Sequence, residues 1–200
     1  MKTFIFSTLF MLSTLSFGQQ YNISPASSQL KWEGNKVVGG GHQGTLSIKD
    51  GYIQFQKQSP IKAEVTVDMT SLKNTDLKDA KWNQKLVGHL HSDDFFSTKK
   101  HPEAKILVTD FSKQKEGLYN LKGQLTIKGI TKPVSFTGKM IGKSGTVTAL
   151  SASLEFDRTE FNVRYGSGKF FDNLGDKMIA DTVKINVDLK LKTPIKTAGH

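Results

Sequence analysis

The sequence predicts an all-β protein, an extended antiparallel barrel of about eight strands with one or two short helices over it. Three observations carry that expectation. Side chains alternate between apolar and polar through most of the chain, turn signals separate the alternating runs, and only two stretches break the pattern. Strict alternation puts one face of a strand in a core and the other in water, as in an antiparallel sheet. Closure into a barrel is favoured over a sandwich because long strands joined by tight turns lose their unpaired edges most simply by closing.

The alternation is plainest in Tyr119, Leu121, Gly123, Leu125 and Ile127, set against Asn120, Lys122, Gln124, Thr126 and Lys128. Val183, Ile185, Val187, Leu189 and Leu191 repeat it, as do Ala63 to Met69, Val134 to Met140 and Leu150 to Phe156. Expected strand segments lie at 29–33, 36–38, 44–48, 52–56, 62–69, 104–112, 118–128, 134–141, 146–157 and 182–192, the first few short enough to merge. A tight turn or bulge is expected at Gly39-Gly40-Gly41-His42, and turns at Lys49-Asp50-Gly51, Glu116-Gly117, Lys128 to Pro133 and Gly142 to Gly145. Leu125, Ile127, Phe136, Phe156, Val183, Ile185 and Val187 should share one apolar interior, because a slip of one residue would expose a whole set.

The first interruption runs from Ser71 to Pro102. Trp82, Leu86 and Leu90 fall on one helical stripe there, with Asp79 as its cap. The second runs from Tyr165 to Asp181, where Phe170-Phe171-Asp172-Asn173-Leu174 reads as a short turn or helix. Both are richer in aromatic residues than a plain connector requires. Segments of this kind can lie across a barrel mouth, with Trp82, Leu86, Leu90, Phe95 and Phe96 on one and Phe170 and Phe171 on the other.

At 200 residues the chain is sized for one domain. Residues 1–18 read as a signal peptide: Lys2, an apolar run from Phe4 to Phe17, and small residues before Gln19. Residues 19–200 then form a single domain, expected to be periplasmic or secreted. The absence of cysteine excludes disulfides, a thiol nucleophile and Cys-ligated metals, and with them a lipid-modified cysteine anchor. The net charge of +10 comes from lysines scattered over alternating positions, which suits the wet face of a sheet better than a nucleic-acid site.

Motifs for catalysis are weak. His89-Leu90-His91-Ser92-Asp93-Asp94, with His101 nearby, contains metal-ligand types in no established spacing, and a polar loop with Asp93 or Asp94 capping a helix explains it more simply. Gly138 to Ser144 is one residue short of a phosphate-binding loop and falls on a hairpin. Asp157-Arg158 with Glu160 offers acid–base groups, but an Asp–Arg pair at a strand end also pins a turn. No Gly-x-Ser-x-Gly elbow is present.

Several segments in order resemble the YceI-like family of secreted, lipocalin-like lipid-binding proteins. The most specific are Leu86-Val-Gly-His89-Leu90-His-Ser-Asp93-Asp94-Phe95-Phe96 and Leu125-Thr-Ile-Lys-Gly-Ile-Thr-Lys-Pro-Val134. Trp32-Glu-Gly, Gly41-His42-Gln-Gly44, Asp157-Arg158-Thr-Glu-Phe161 and Tyr165-Gly-Ser-Gly168 add to them, so the likeness covers Tyr21 to Leu191. It implies a barrel that holds a long isoprenoid or similar lipid, with no catalysis, no cofactor and no metal. The lipid-binding candidates are Trp82, Leu86, Leu90, Phe95, Phe96, Leu125, Ile127, Phe136, Phe156, Tyr165, Phe170 and Phe171. The polar mouth candidates are His42, His89, Asp94 and Arg158. The expected partner is the lipid alone, with transient membrane contact, no membrane span and no nucleic acid, in a monomer or homodimer. The alternative is an enzyme or stress protein acting on a lipid, isoprenoid or quinone through His89, Asp94 and Arg158.

Overall fold

The computed structural model describes residues 19–143 and 146–192. The expected signal peptide and the centre of the expected turn at 142–145 lie outside them. Among the described residues the strands are β1 (Gln19–Asn22), β2 (Gln29–Lys36), β3 (Gly41–Gln56), β4 (Ser59–Asn74), β5 (Glu103–Lys113), β6 (Leu118–Ile127), β7 (Ile130–Lys143), β8 (Thr146–Asp157) and β9 (Ile179–Lys190), with one α-helix, α1 (Ala80–His91), between β4 and β5 and short 3-10 turns elsewhere.

Every pairing is antiparallel, in the order β3-β2-β9-β8-β7-β6-β5-β4, and β4 pairs back onto β3 to close the barrel. Eight positions result from nine strands because β1 and β2 take turns on one edge of β3. Tyr21 lies opposite Ile53 in β1–β3, and Trp32 lies opposite Gly44 in β2–β3.

Two expected elements differ. Residues 44–48 and 52–56 form one strand, and Lys49-Asp50-Gly51 is a bulge inside it, where the β3–β4 register shifts between Ile48 and Asp50. A bulge uses the same residues as a turn but bends the strand without reversing it. The reversal comes at Lys57-Gln58, both at positive φ, a two-residue hairpin with no glycine to announce it. The expected strand at 36–38 instead ends at Lys36, and Val37 and Val38 enter the β2–β3 turn.

The barrel has two unlike ends. At one end, Tyr21, Ile23, Phe55 and Tyr119 are buried, and the Tyr21 and Phe55 rings meet edge to face at 5.2 Å. At the other end lie the β2–β3 hairpin, the β6–β7 hairpin and both long connections, β4–β5 and β8–β9. The two stretches that interrupt the alternation therefore share one end.

Candidate functional site

A cavity of about 370 Å³ occupies the barrel between the plugged end and the end that carries the connections. Leu125, Ile127, Phe136, Phe156, Val183, Ile185 and Val187 all line it. Val183, Ile185 and Val187 are only half-buried because they face open volume and not packed protein. Leu150, Ala152 and Leu154 of β8 and Ala63, Val65, Val67 and Met69 of β4 continue the wall. The volume falls within the range of small-molecule pockets, and the wall is apolar over its depth.

The rim is built by several elements. Asn35, Lys36, Gly41 and His42 of the β2–β3 hairpin line one side. The His42 Nδ1 lies 2.8 Å from Asp76 Oδ2. Burial pushes the Asp76 carboxyl up, but the Gln43 N–H, His42 and Asn74 together hold it below its ordinary value. Trp32 lines the cavity nearby and donates its indole N–H to Lys73 O at 3.1 Å. Gly44 makes this possible, since a Cβ there would sit 2.7 Å from the Trp32 ring and 1.8 Å from Lys73 O.

The β4–β5 connection supplies the apolar side of the rim. Asp79 caps α1 by accepting from the Trp82 N–H at 3.0 Å. Leu86, Leu90, Phe95 and Phe96 line the cavity, and Leu90 and Phe95 join Trp32, Leu72 and Val163 in a cluster of their own. Neither Asp93 nor Asp94 caps a helix, because no helix follows. Asp93 accepts from Ser97 and Lys100 and pins a run of turns.

The β8–β9 connection is organised by Arg158, only 2% exposed. Its Nε donates to Ala180 O, Nη1 to Val163 O and Tyr165 O, and Nη2 to Ile179 O, over 2.8–3.2 Å. Asp181 Oδ1 lies 3.5 Å away. Burial pushes the guanidinium below its ordinary value, with Asp181 and Asp157 opposing. Arg158 touches the cavity, but its donors are engaged by backbone carbonyls. Lys128, in the β6–β7 hairpin, donates to Asn162 O of this connection and Asp93 O of the other, at 3.0 and 3.4 Å.

Four lipid-binding candidates lie elsewhere. Trp82, Tyr165, Phe170 and Phe171 are 55%, 46%, 44% and 48% exposed and are absent from the cavity wall. Trp82 belongs to the first turn of α1, one turn short of the stripe that Leu86 and Leu90 turn inward. Phe170 packs under the Arg164 guanidinium, 4.7 Å from its ring centre. The buried apolar side chains of that connection are Phe161 and Val163.

The polar candidates also separate. His42 and Arg158 touch the cavity, whereas His89 and Asp94 do not. The His89 ring lies edge-on to Phe95 and Tyr165, and its Nε2 is 3.8 Å from Asp94 Oδ2. His89, Asp94 and Arg158 therefore do not converge on one point beside the lumen. Among the described residues, no three His, Asp or Glu side chains gather as metal ligands would. Sequence reasoning missed Trp32, Leu72 and Ile179 at the rim. The alternation of Leu30, Trp32 and Gly34 was the available signal for Trp32.

The family model for the YceI-like domain matches residues 21–191. A UPF0312 protein of Photorhabdus laumondii is 33% identical over 132 residues, which span 62% of this chain and 65% of that protein. Among solved structures, BcnA of Burkholderia cenocepacia superposes with a TM-score of 0.64 at 24% identity, covering 86% of this chain and 99% of that one. A polyisoprenoid-binding domain from Saccharophagus degradans gives 0.60 at 16% identity, covering 87% and 98%. At these identities the likeness concerns the fold.

Proposed function

The chain belongs to the YceI-like domain family, and from that premise we propose that it is a periplasmic or secreted carrier holding a long-chain isoprenoid or similar lipid in its lumen. The observation that carries this reading is the cavity, where one face of each surrounding strand converges on about 370 Å³ walled by aliphatic and aromatic side chains. Such a wall recognises a slender hydrocarbon and little else. Each buried CH₂ contributes ~0.8 kcal/mol, so part of a long chain is enough for retention. The Saccharophagus degradans domain, described as polyisoprenoid-binding, supports the ligand class.

Binding without turnover is the better reading of the polar groups. Acid–base catalysis needs two groups within hydrogen-bond reach of a reacting atom. Arg158 has its donors on main-chain carbonyls, and His89 and Asp94 stand outside the cavity wall.

The test is mass spectrometry of a solvent extract from the purified native protein, alongside Ala152→Phe, which fills the lumen from β8. A prenyl or comparable long-chain lipid in the native extract, depleted in the folded variant, is expected. An empty native protein, or equal lipid in both, overturns the carrier. Time-dependent conversion of the bound lipid, lost when His89, Asp94 and Arg158 are replaced together, overturns the non-catalytic reading.

A further inference from the structure

The connection-bearing end of the barrel exposes apolar side chains that do not line the cavity. Val37 and Val38, at the tip of the β2–β3 hairpin, are 57% and 65% exposed. Trp82 stands out from the first turn of α1, and Phe170 and Phe171 stand out from the β8–β9 connection. The Val37 N–H donates to Met178 O at 2.9 Å, which holds the hairpin against that connection. These residues come from three separate segments, yet all lie around the end where Lys36 and His42 line the rim.

Cations accompany the apolar groups. Lys85 Nζ lies 5.2 Å from the Trp82 ring centre, and the Arg164 guanidinium lies over Phe170. Lys36 precedes the two valines. Helix α1 carries Lys81 and Lys85 and no acidic residue. Glu160, Asp172 and Asp176 share the β8–β9 connection with Arg164, Lys169 and Lys177, and Lys169 is paired with Asp157 and Asp181. Aromatic rings with a cation beside them suit the boundary between headgroups and acyl chains, where the ring enters and the charge stays wet.

We propose that this end of the barrel is a docking surface for an anionic phospholipid leaflet, with Val37, Val38, Trp82, Phe170 and Phe171 entering the interface and Lys36, Lys85 and Arg164 meeting the headgroups. The opening of the cavity then faces the bilayer, and a hydrocarbon chain passes between them without crossing bulk water. The surface belongs to the exterior, so it stands or falls separately from the identity of the cavity's ligand.

The full protein is mixed with unilamellar vesicles of phosphatidylglycerol and phosphatidylcholine, or of phosphatidylcholine alone, and bound protein is measured by sedimentation. Trp82 emission is read in a Trp32→Phe background. Binding to the anionic vesicles is expected, with a blue shift of Trp82 and quenching by brominated acyl chains. The doubly substituted V37D/V38D protein should bind at least about ten-fold more weakly. L118D/I141D, at the opposite end, should bind as the parent does, and both should melt cooperatively. Absence of binding, binding unchanged in V37D/V38D, equal loss in L118D/I141D, or binding without a Trp82 shift overturns the surface. So does a homodimer that V37D/V38D dissociates while vesicles bind neither form. Lipid content by mass spectrometry in the same variants keeps a failed surface distinct from a failed carrier.

Discussion

The two long connections share an end of the barrel and carry the same outward signal, aromatic residues packed into a break in the alternation. Apart from the exposed Trp82 of the first and the buried Phe161 and Val163 of the second, their apolar residues behave oppositely. In β4–β5, Leu86, Leu90, Phe95 and Phe96 turn toward the cavity, and in β8–β9, Phe170 and Phe171 turn to solvent. The first connection contains a capped helix, whose period of 3.6 turns Leu86 and Leu90 inward, and Phe95 and Phe96 follow it in the turns that Asp93 pins. The second lacks a regular period and is held by a single buried guanidinium reaching four carbonyls of its own chain. Aromatic density therefore marks where chain leaves the sheet, and the contacts that hold each segment decide which way its rings face.

The strongest way to break the second connection is Arg158→Ala. It would leave the carbonyls of Val163, Tyr165, Ile179 and Ala180 without their donor, and removing one partner of a buried charged network typically costs about 3–5 kcal/mol. Chemical denaturation should show that loss, and Arg158→Lys should recover little because an ammonium lacks the planar fork. For the first connection the matching experiment is Leu90→Ala, which empties a cluster with Trp32, Leu72, Phe95 and Val163. A loss of about 2–4 kcal/mol is expected from the same measurement. If Leu90→Ala proved the more damaging, packing and not the guanidinium would hold this end together.

The barrel was legible in the sequence because period two survives every local accident. Leu125, Ile127, Val183 and Ile185 could face only one way once the sheet closed. The β3–β4 reversal was not legible, because Lys57 and Gln58 adopt positive φ without glycine or asparagine, held by the long ladder on either side. Strand β1 was missed for a related reason: in four residues only Tyr21 turns inward, too little to show a period. At the site, Leu86 and Leu90 followed from helical spacing. The exposure of Trp82 did not, since its place one turn earlier on the helix leaves the barrel rim behind. The role of Arg158 was half legible. Its place at a strand end suggested a pin, but its partners are main-chain carbonyls, which no side-chain pattern announces.

Smaller changes sharpen the contrast. Asp79→Ala removes the N-cap of α1 and should cost about 1 kcal/mol, with Asp79→Asn nearly neutral. The β8–β9 connection should respond to acid through Asp157, as the β4–β5 connection should through Asp76. Burial pushes the Asp157 carboxyl up, but hydrogen bonds from Lys169 and Thr159 outweigh it and hold the group below its ordinary value. A carboxyl depressed in the folded state contributes stability that is present above its unfolded pKa and lost as pH falls through the folded one. Denaturation midpoints should therefore fall below about pH 4, and Asp157→Asn should reduce that slope.

The smallest effect should come from Phe171→Ser. A ring 48% exposed that lines no part of the cavity has little burial to lose. Substitutions at such surface positions usually stay within about 0.5 kcal/mol. Trp82→Ala belongs with it, because Trp82 is also exposed and stands apart from the cavity wall. Both variants should melt close to the parent and extract with the same lipid, while Leu86→Ala and Phe95→Ala, whose side chains do line the lumen, should lose lipid. That pattern separates residues that hold a ligand from residues that merely surround the opening. Should Phe171→Ser unfold the connection or empty the cavity, the outward orientation of these rings would not be their working one, and the two connections would be alike after all.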